Sequence, residues 1–162
     1  MLSEIKKYAK IMYEKDFLYG LNGSLSMKVS NDILYINKNI IYNESDDYFA
    51  KLELNENYKY EDANKDINKH IAIYNNFYNA KVIARIISKD ILKVCKNSIF
   101  QFNNELIVIQ NENILQNESD LIAKLSERNF LLIKNFGLLI FSRDFDSLFA
   151  KIFDIDLSAK IV

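Results

Sequence analysis

Residues 66–88, DINKHIAIYNNFYNAKVIARIIS, predict a helix that leads directly into a buried strand. In the first half, large and mostly apolar side chains recur at three- and four-residue spacing, at Ile67, His70, Ile71, Tyr74 and Phe77. This spacing places them on one face of a helix. The second half, residues 82–87, is short and rich in β-branched side chains, which favours a strand covered on both faces. Arg85 is the one charged side chain within that strand.

The rest of the chain alternates between predicted helices and strands. We expect helices at residues 2–15, 89–95, 118–128 and 144–162, and strands at residues 24–29, 33–37, 50–54, 58–60, 98–102, 105–110, 130–134 and 138–141. Tight turns are expected at residues 30–32 and at the Asn103-Asn104 pair, because Asn tolerates the positive φ of such turns. Helices before, between and after strands of both orientations indicate an α/β domain with a mixed sheet between helical layers. No linker or repeat divides the sequence, so we predict a single domain over residues 1–162.

Composition limits the classes of partner. Hydrophobic residues make up 49% of the chain, charged residues 27%, and the net charge is −1 without a basic cluster, so we expect neither a nucleic-acid nor a membrane partner. The N-terminal residues do not resemble a signal peptide, and no segment has transmembrane length, which leads us to expect a cytoplasmic protein. The single cysteine, Cys95, fits a reducing compartment, and we expect it to be a small buried hydrophobic residue.

Three segments resemble a known family. HIAIY followed by NAKVIARIIS is similar to the core of the class II aldolase/adducin family, including its fuculose-phosphate aldolases, in which a helix containing HLAIY leads into a strand reading KAIVHTHS. LLIKNFGLLI, residues 131–140, resembles the family's strand-turn-strand that contains Asn-His-Gly. GLNGSLSMK, residues 20–28, resembles the glycine-rich segment GTSGNxSxR that receives the substrate's phosphate. The resemblance covers nearly the whole chain and implies a three-layer α/β/α fold with a central mixed, largely antiparallel sheet.

The same resemblance places three residues of this chain at the family's metal-binding histidines. Arg85 and Ile87 stand where the strand has two of them, and Phe136 stands where the turn has the third. A zinc site of this kind needs three nitrogen ligands, and the sequence contains one histidine. We therefore predict that the metal site is lost and that no cofactor is bound. The one histidine, His70, matches a family histidine that is not a ligand, and we favour a core or supporting role for it over metal binding.

Asp66 stands at the position of the family's acid–base carboxylate, one methylene shorter than the usual Glu. Our hypothesis is that Arg85 pairs with Asp66 and replaces the metal electrostatically, because an unpaired buried charge would cost several kcal/mol. The alternative is that the Arg85 side chain extends from the end of the strand into water.

The phosphate pocket of the family is only partly preserved. The candidate substrate-binding residues are Gly20, Gly23, Ser24, Ser26, Lys38 and Lys65. Lys38 and Lys65 could attract an anion, although exposed lysines are more often only solvated. Family enzymes form rings and continue with a tail that completes the neighbouring subunit's site. We therefore expect a homo-oligomer, and we assign no tyrosine to the proton-donor role of that tail.

We favour a catalytically degenerate, metal-free member of this family with a binding, regulatory or assembly role. The alternative is a metal-independent enzyme, of the lyase or isomerase kind, that uses Asp66 with Arg85 or Lys38 on a small sugar phosphate or other anion. A third possibility, an active metal-dependent aldolase or epimerase, would require acidic residues at the ligand positions, and the sequence places none there.

Overall fold

The computed structural model describes residues 2–18, 20–54 and 62–162. Within these ranges the helices are α1 (Leu2–Glu14), α2 (Ile67–Asn76), α3 (Lys89–Val94), α4 (Glu118–Glu127) and α5 (Phe145–Lys160). The strands in the same ranges are β1 (Ser24–Lys28), β2 (Ile33–Asn37), β3 (Phe49–Glu53), β4 (Val82–Ile86), β5 (Ile99–Phe102), β6 (Glu105–Val108), β7 (Phe130–Ile133) and β8 (Gly137–Ser142). Short 3₁₀ turns lie at Asp46–Tyr48 and Glu112–Gln116. The strand predicted at residues 58–60 lies outside the described residues.

Six strands form one sheet in the order β3-β2-β1-β4-β8-β7, and every pair in it is antiparallel. Within the described residues, the parallel contribution is a single bridge between Gln110 and Ile133. The prediction of a largely antiparallel sheet is therefore confirmed. Strands β5 and β6 form a separate hairpin, turned by Asn103 and Asn104 at φ of 49° and 62°, as the Asn pair predicted.

The helices cover both faces of the sheet. Because side chains alternate along each strand, residues 82, 84 and 86 of β4 join the core under α1, α3 and α5, whereas residue 83 joins the core under α2 and α4. We call these the α1–α3–α5 face and the α2–α4 face. This arrangement confirms the predicted three-layer α/β/α architecture.

Polar side chains define the starts of three helices. Ser88, Asn117 and Asp144 each accept a hydrogen bond from a backbone N–H in the first turn of α3, α4 and α5. The helix starts predicted at residues 118 and 144 are thus confirmed. Asp66 precedes α2 but makes no capping bond with its side chain, which leaves its carboxylate free for other contacts.

Two glycines adopt a positive φ. Gly23 has φ of 98°, a backbone conformation that residues with a Cβ rarely adopt. Gly137 has φ of 102°, and a Cβ there would collide with the carbonyl oxygen of Ile86. Both positions therefore need glycine, and both lie beside the end of β4. Among the described residues, no helix has the length and apolar character that crossing a membrane would require.

Candidate functional site

Six polar side chains meet beneath α2, in the middle of the sheet, and we call them the buried polar network. They are Ser24, Ser26, Asp66, His70, Tyr74 and Arg85, and all six are buried. Alternation along β1 places the two serines on the same face. The four-residue spacing of Asp66, which precedes α2, and of His70 and Tyr74 within α2 places these three side chains in one row above β1. Strand pairing sets Arg85 directly opposite Ser24.

Arg85 forms an ion pair with Asp66 inside the protein. Its Nη1 lies 3.3 Å from Asp66 Oδ2 and 3.4 Å from Oδ1, and the two residues are 6% and 2% exposed. Arg85 Nε also donates a hydrogen bond of 2.9 Å to the carbonyl of Phe136, and the guanidinium carbon lies 3.8 Å from the centre of the Phe136 ring. The geometry therefore agrees with the hypothesis that Arg85 pairs with Asp66. The alternative, in which Arg85 extends into water, is wrong because the strand end is covered by Phe136 and Asp66.

A continuous chain of hydrogen bonds runs from Tyr74 to Asp66. The distances are 2.6 Å from Tyr74 Oη to Ser26 Oγ, 2.6 Å from Ser26 Oγ to His70 Nδ1, 2.8 Å from His70 Nε2 to Ser24 Oγ, and 3.0 Å from Ser24 Oγ to Asp66 Oδ2.

The ion pair fixes the direction of this chain. Asp66 paired with Arg85 only accepts, so Ser24 donates its proton to Asp66 and accepts from the Nε2–H of His70. The Nδ1 lone pair of His70 then accepts from Ser26, which in turn accepts from Tyr74. The three hydroxyls and both ring nitrogens in this hydrogen-bond chain thereby all have partners, and His70 is the neutral Nε2–H tautomer.

Burial keeps His70 neutral. Loss of solvation lowers the pKa of His70 from 6.5 to about 4, and Lys69 and Arg85 add to this effect while Asp66 opposes it. Burial also raises the pKa of the Tyr74 hydroxyl. The hydrogen-bond chain therefore contains two groups that stay uncharged at neutral pH, His70 and Tyr74, and it ends at the ion pair of Asp66 with Arg85.

Ile87 and Phe136 lie beside this network and are both buried. Ile87 follows the last residue of β4, and its backbone N–H donates to the carbonyl of Phe17 at 3.1 Å. Phe136 lies in the turn between β7 and β8, with its ring against the Arg85 guanidinium. Arg85 and Phe136 thus pack together at the end of β4, and Ile87 lies two residues beyond Arg85; we call this part of the structure the corner.

Comparison with known proteins assigns the protein to a family. Residues 3–162 match the family model described as Class II Aldolase and Adducin N-terminal domain. The chain belongs to this family. No curated protein sequence matches the chain.

Solved structures with the same fold include several aldolases. L-fuculose-1-phosphate aldolase from Thermus thermophilus gives a TM-score of 0.83 at 10% identity, covering 99% of this chain and 92% of that one. L-fuculose 1-phosphate aldolase from Glaciozyma antarctica gives 0.76 at 12% identity, covering 99% and 70%. A sugar-phosphate aldolase from Thermotoga maritima gives 0.71 at 12% identity, covering 99% and 92%. At identities this low, the structural similarity shows a shared fold only.

The residues that the resemblance assigns to the metal positions of this class II aldolase-like chain do not fit a zinc ion. Arg85 offers a cation, and Ile87 and Phe136 offer no lone pair from their side chains. Both ring nitrogens of His70 already bond to serines. Within the ranges that the structure describes, no three His, Cys, Asp or Glu side chains are grouped so that they could hold a metal. The donor set at this corner therefore does not match the zinc chemistry of the family.

The glycine-rich loop is held by asparagines. The carbonyl of Gly23 accepts bonds from Asn37 Nδ2 at 3.3 Å and from Asn64 Nδ2 at 3.0 Å. Asn64 Oδ1 in turn accepts from the backbone N–H of Asp66 at 2.9 Å. These side chains bind the loop to α2 and hold Asp66 in place. Gly20, at φ of 56°, lies at the exposed start of the same loop.

The candidate substrate-binding residues lie in different environments. The hydroxyls of Ser24 and Ser26 are buried and bonded within the network. Lys38 is half-buried beside Ala63, to which its backbone bridges. Lys65 is exposed, and its Nζ donates to Asn22 Oδ1 at 2.6 Å. The structure thus brings the serines to Asp66 and Arg85 but leaves the two lysines outside the network, and ligand binding by all of them stays a prediction.

Three residues contribute to the site although the sequence did not assign them to it, namely Asn37, Asn64 and Tyr74. Tyr74 continues the spacing of Asp66 and His70 by four residues, so its place in the row was available from the sequence. The asparagines gave no such signal, since their contacts to Gly23 connect residues that are distant in the sequence. Cys95 is buried as expected, and burial raises its pKa to about 11.

Proposed function

We propose that this one-domain class II aldolase-like protein works without a metal ion, in a binding, regulatory or assembly role. The observation that carries the proposal is the Arg85 guanidinium, which is ion-paired to Asp66 and packed on Phe136 where the resemblance expects a metal-binding histidine. A fixed cation at this place repels a divalent cation and holds the carboxylate that would otherwise support one.

The energetics of the ion pair support the same proposal. Removing one member of a buried pair leaves an uncompensated charge and costs about 3–5 kcal/mol. Asp66 also accepts from Ser24, so its oxygens have protein donors on both sides. The network is therefore self-contained and needs no ion to satisfy its charges.

The alternative function, a metal-independent lyase or isomerase acting on a small sugar phosphate or other anion, has weaker support. A general base must come within about 2.6–3.2 Å of the proton that it removes. Asp66 is almost fully buried and already holds two donors. Lys38, the other candidate, is not a member of the network. The geometry thus favours binding over proton transfer.

Metal content and turnover test the proposal together. The purified chain should retain no zinc after incubation with excess zinc and passage over a desalting column, measured by plasma mass spectrometry. It should also release no dihydroxyacetone phosphate from L-fuculose 1-phosphate, with or without added zinc. One tightly held zinc per chain, or turnover that a chelator abolishes, would show that the proposal is wrong.

A matched variant shows whether the assay can detect a site. The triple substitution Arg85→His, Ile87→His and Phe136→His supplies three imidazoles at the positions that the resemblance indicates. This variant should bind more zinc than the parent chain, with circular dichroism used to check that it folds. Retention of zinc by the parent at the level of the variant would contradict the proposal.

Location and assembly are further parts of the proposal. We propose a cytoplasmic homo-oligomer, in line with the resemblance to ring-forming enzymes. Light scattering after size exclusion measures the mass of the particle directly. A particle of 19.0 kDa across the accessible concentration range would exclude the homo-oligomer.

A further inference from the structure

The β5–β6 hairpin extends the main sheet beyond β7. Just after β6, the backbone N–H of Ile109 donates to the carbonyl of Ser98 on the β5 side at 2.9 Å. The next N–H, that of Gln110, points the opposite way and donates to the carbonyl of Leu132 in β7 at 2.8 Å. The side of β6 that faces away from β5 is therefore turned towards β7. This makes β5 the outermost strand at this end of the sheet.

The outer edge of β5 carries backbone groups without a partner. Because Ser98 bonds towards β6, alternation along the strand directs the N–H and C=O groups of Phe100 and Phe102 towards β6 as well. The same groups of Ile99 and Gln101 point away from β6. No residue within the described ranges bonds to them. The edge thus presents the donor and the acceptor of both residues to a neighbouring strand.

The side chains along this edge are uncharged, and the hairpin surface beside it is apolar. Ile99 is 52% exposed, and Gln101 is exposed as well. Leu106 and Val108, which lie opposite them on β6, are 63% and 61% exposed. Among the strands that the structure describes, large hydrophobic side chains are exposed at these three apolar positions alone. Natural sheets usually avoid an open, uncharged edge of this kind.

The strand at the other end of the main sheet offers an internal comparison. In β3, Lys51 and Glu53 occupy positions whose backbone groups point away from β2. Lys51 is exposed, and Glu53 is half-buried. Charged side chains along an edge hinder its pairing with a strand of another molecule. The edge of β5 lacks this protection.

A second copy of β5 supplies a matching edge. Two β5 strands that run antiparallel about a two-fold axis through Phe100 place Ile99 of each copy opposite Gln101 of the other. Residues paired in this way exchange backbone hydrogen bonds in both directions. A two-fold contact requires a surface that is complementary to itself. The uncharged edge meets this requirement, because no like charges are brought together.

We propose that two copies of the chain associate by antiparallel pairing of their β5 strands, which joins the two hairpins into one continuous sheet. This inference rests on the homo-oligomer proposed above and names the surface that holds it together. The contact differs from those of a ring, which join two different surfaces of each subunit.

The mass of the particle and one proline substitution test the inference. With rising concentration, light scattering and sedimentation velocity should show the full chain approaching twice 19.0 kDa. Ile99→Pro removes an outward N–H but none of the bonds to β6, and the first residue of a strand tolerates proline. We expect this variant to self-associate at least about tenfold more weakly. A dimer of unchanged affinity in Ile99→Pro overturns the inference.

A pair of lysine substitutions separates the edge from the apolar face beside it. Gln101→Lys places a charge on the β5 edge and should weaken the dimer at least about tenfold. Leu106→Lys places the same charge on the same face but on the β6 side, and it should dimerise like the parent chain. Circular dichroism checks that both variants fold. Equal losses would mean that the apolar face, rather than the edge, joins the copies.

Disulfide cross-linking tests the register of the pairing. The variants Ile99→Cys and Gln101→Cys, purified separately and then mixed, should form an intermolecular disulfide under mild oxidation. Opposite residues of this kind are about 5.5 Å apart at Cα, within the range that a disulfide spans. Each variant alone should cross-link less, because its introduced thiols lie diagonally across the two-fold axis. Cross-linking that is equal in the mixture and in the single variants contradicts the register.

The outcomes distinguish this inference from the proposed function. A parent chain that stays at 19.0 kDa at every concentration overturns the β5 pairing and the homo-oligomer together, but it leaves the zinc and turnover results unchanged. An oligomer that Ile99→Pro and Gln101→Lys do not weaken removes the β5 pairing alone. Retained zinc or chelator-sensitive turnover would remove the metal-free role, whatever the mass of the particle.

Discussion

The two faces of the sheet are built from the same strands but are stabilised differently. On the α1–α3–α5 face, alternate residues of β1, β4 and β8 pack in an apolar core with three helices. The buried polar side chains there include Asn37, Ser88 and Asp156, and Asp156 also pairs with the exposed Lys160 at 3.0 Å. On the α2–α4 face, the centre of the sheet carries a buried ion pair and four hydrogen-bonding side chains.

Because of this difference, we expect substitutions on the two faces to change stability in different ways. In an apolar core, a small loss of side-chain volume lowers the free energy of unfolding in proportion to the contacts that are removed. A buried polar network is satisfied as a whole, so removing one member leaves another without a partner in a medium of low dielectric constant. We expect the α2–α4 face to respond strongly to charge and pH, and the α1–α3–α5 face mainly to changes in packing.

Breaking the ion pair should have the largest effect. Arg85→Met keeps much of the volume but leaves Asp66 buried without its cation, and we expect a loss of about 3–5 kcal/mol in the free energy of unfolding. Ile86→Val, next in the strand but on the other face, should cost about 1 kcal/mol. Urea unfolding of both variants measures the contrast.

The double variant Arg85→Met/Asp66→Asn tests the cause of that loss. If uncompensated charge is responsible, removing the carboxylate should recover part of the stability, and a double-mutant cycle gives the coupling energy. Additive losses from the two substitutions would show that the pair contributes through packing alone.

Acid should destabilise the protein through His70. Its pKa is lowered from 6.5 to about 4 by burial, so between these values the unfolded chain holds a proton that the folded chain does not. The free energy of unfolding should therefore fall as the pH drops through this window, by about 3 kcal/mol in total, and this contribution should level off below it. Urea unfolding at several pH values checks the slope.

His70→Gln is the matched control for the pH dependence. Gln supplies an amide donor and acceptor but has no proton to gain, so the variant should lose the slope between pH 6.5 and about 4 that is due to His70. The comparison uses the slope of the free energy of unfolding against pH, so a loss of stability that is the same at every pH does not affect it. Parallel curves for the two proteins would mean that His70 does not control this window.

The fold was predictable because its signals are local. The three- and four-residue spacing of α2, the β-branched run of β4, the Asn pair between β5 and β6 and the cap at Asn117 each act within a few residues. The resemblance to the family then supplied the order of the layers. Boundaries moved by one or two residues, as at Ile87, which lies just beyond β4.

The site was less predictable because its contacts connect distant parts of the chain. Sequence reasoning paired Arg85 with Asp66 because the resemblance places both at the family's site and because a buried charge needs a partner. It also predicted that Ser24 and Ser26 bind a substrate, which stays a prediction, but it did not foresee that their hydroxyls bond to Asp66 and His70. The direction of a hydroxyl depends on which strand lies next to which helix, and neither the spacing nor the composition of the sequence contains that information.

Two buried tyrosines, one on each face, allow a direct comparison in which we expect the smallest changes in stability. Tyr74 donates to Ser26 inside the α2–α4 face, and Tyr8 donates to Asp146 at the edge of the α1–α3–α5 face. Tyr74→Phe leaves Ser26 without its donor in a dry environment, and we expect a loss of about 1–2 kcal/mol. Because Asp146 is exposed, water can replace the lost hydroxyl in Tyr8→Phe, and the loss should stay below about 1 kcal/mol. Equal losses in urea unfolding would mean that burial of the Tyr74–Ser26 bond does not make it contribute more than the bond of Tyr8 to the exposed Asp146.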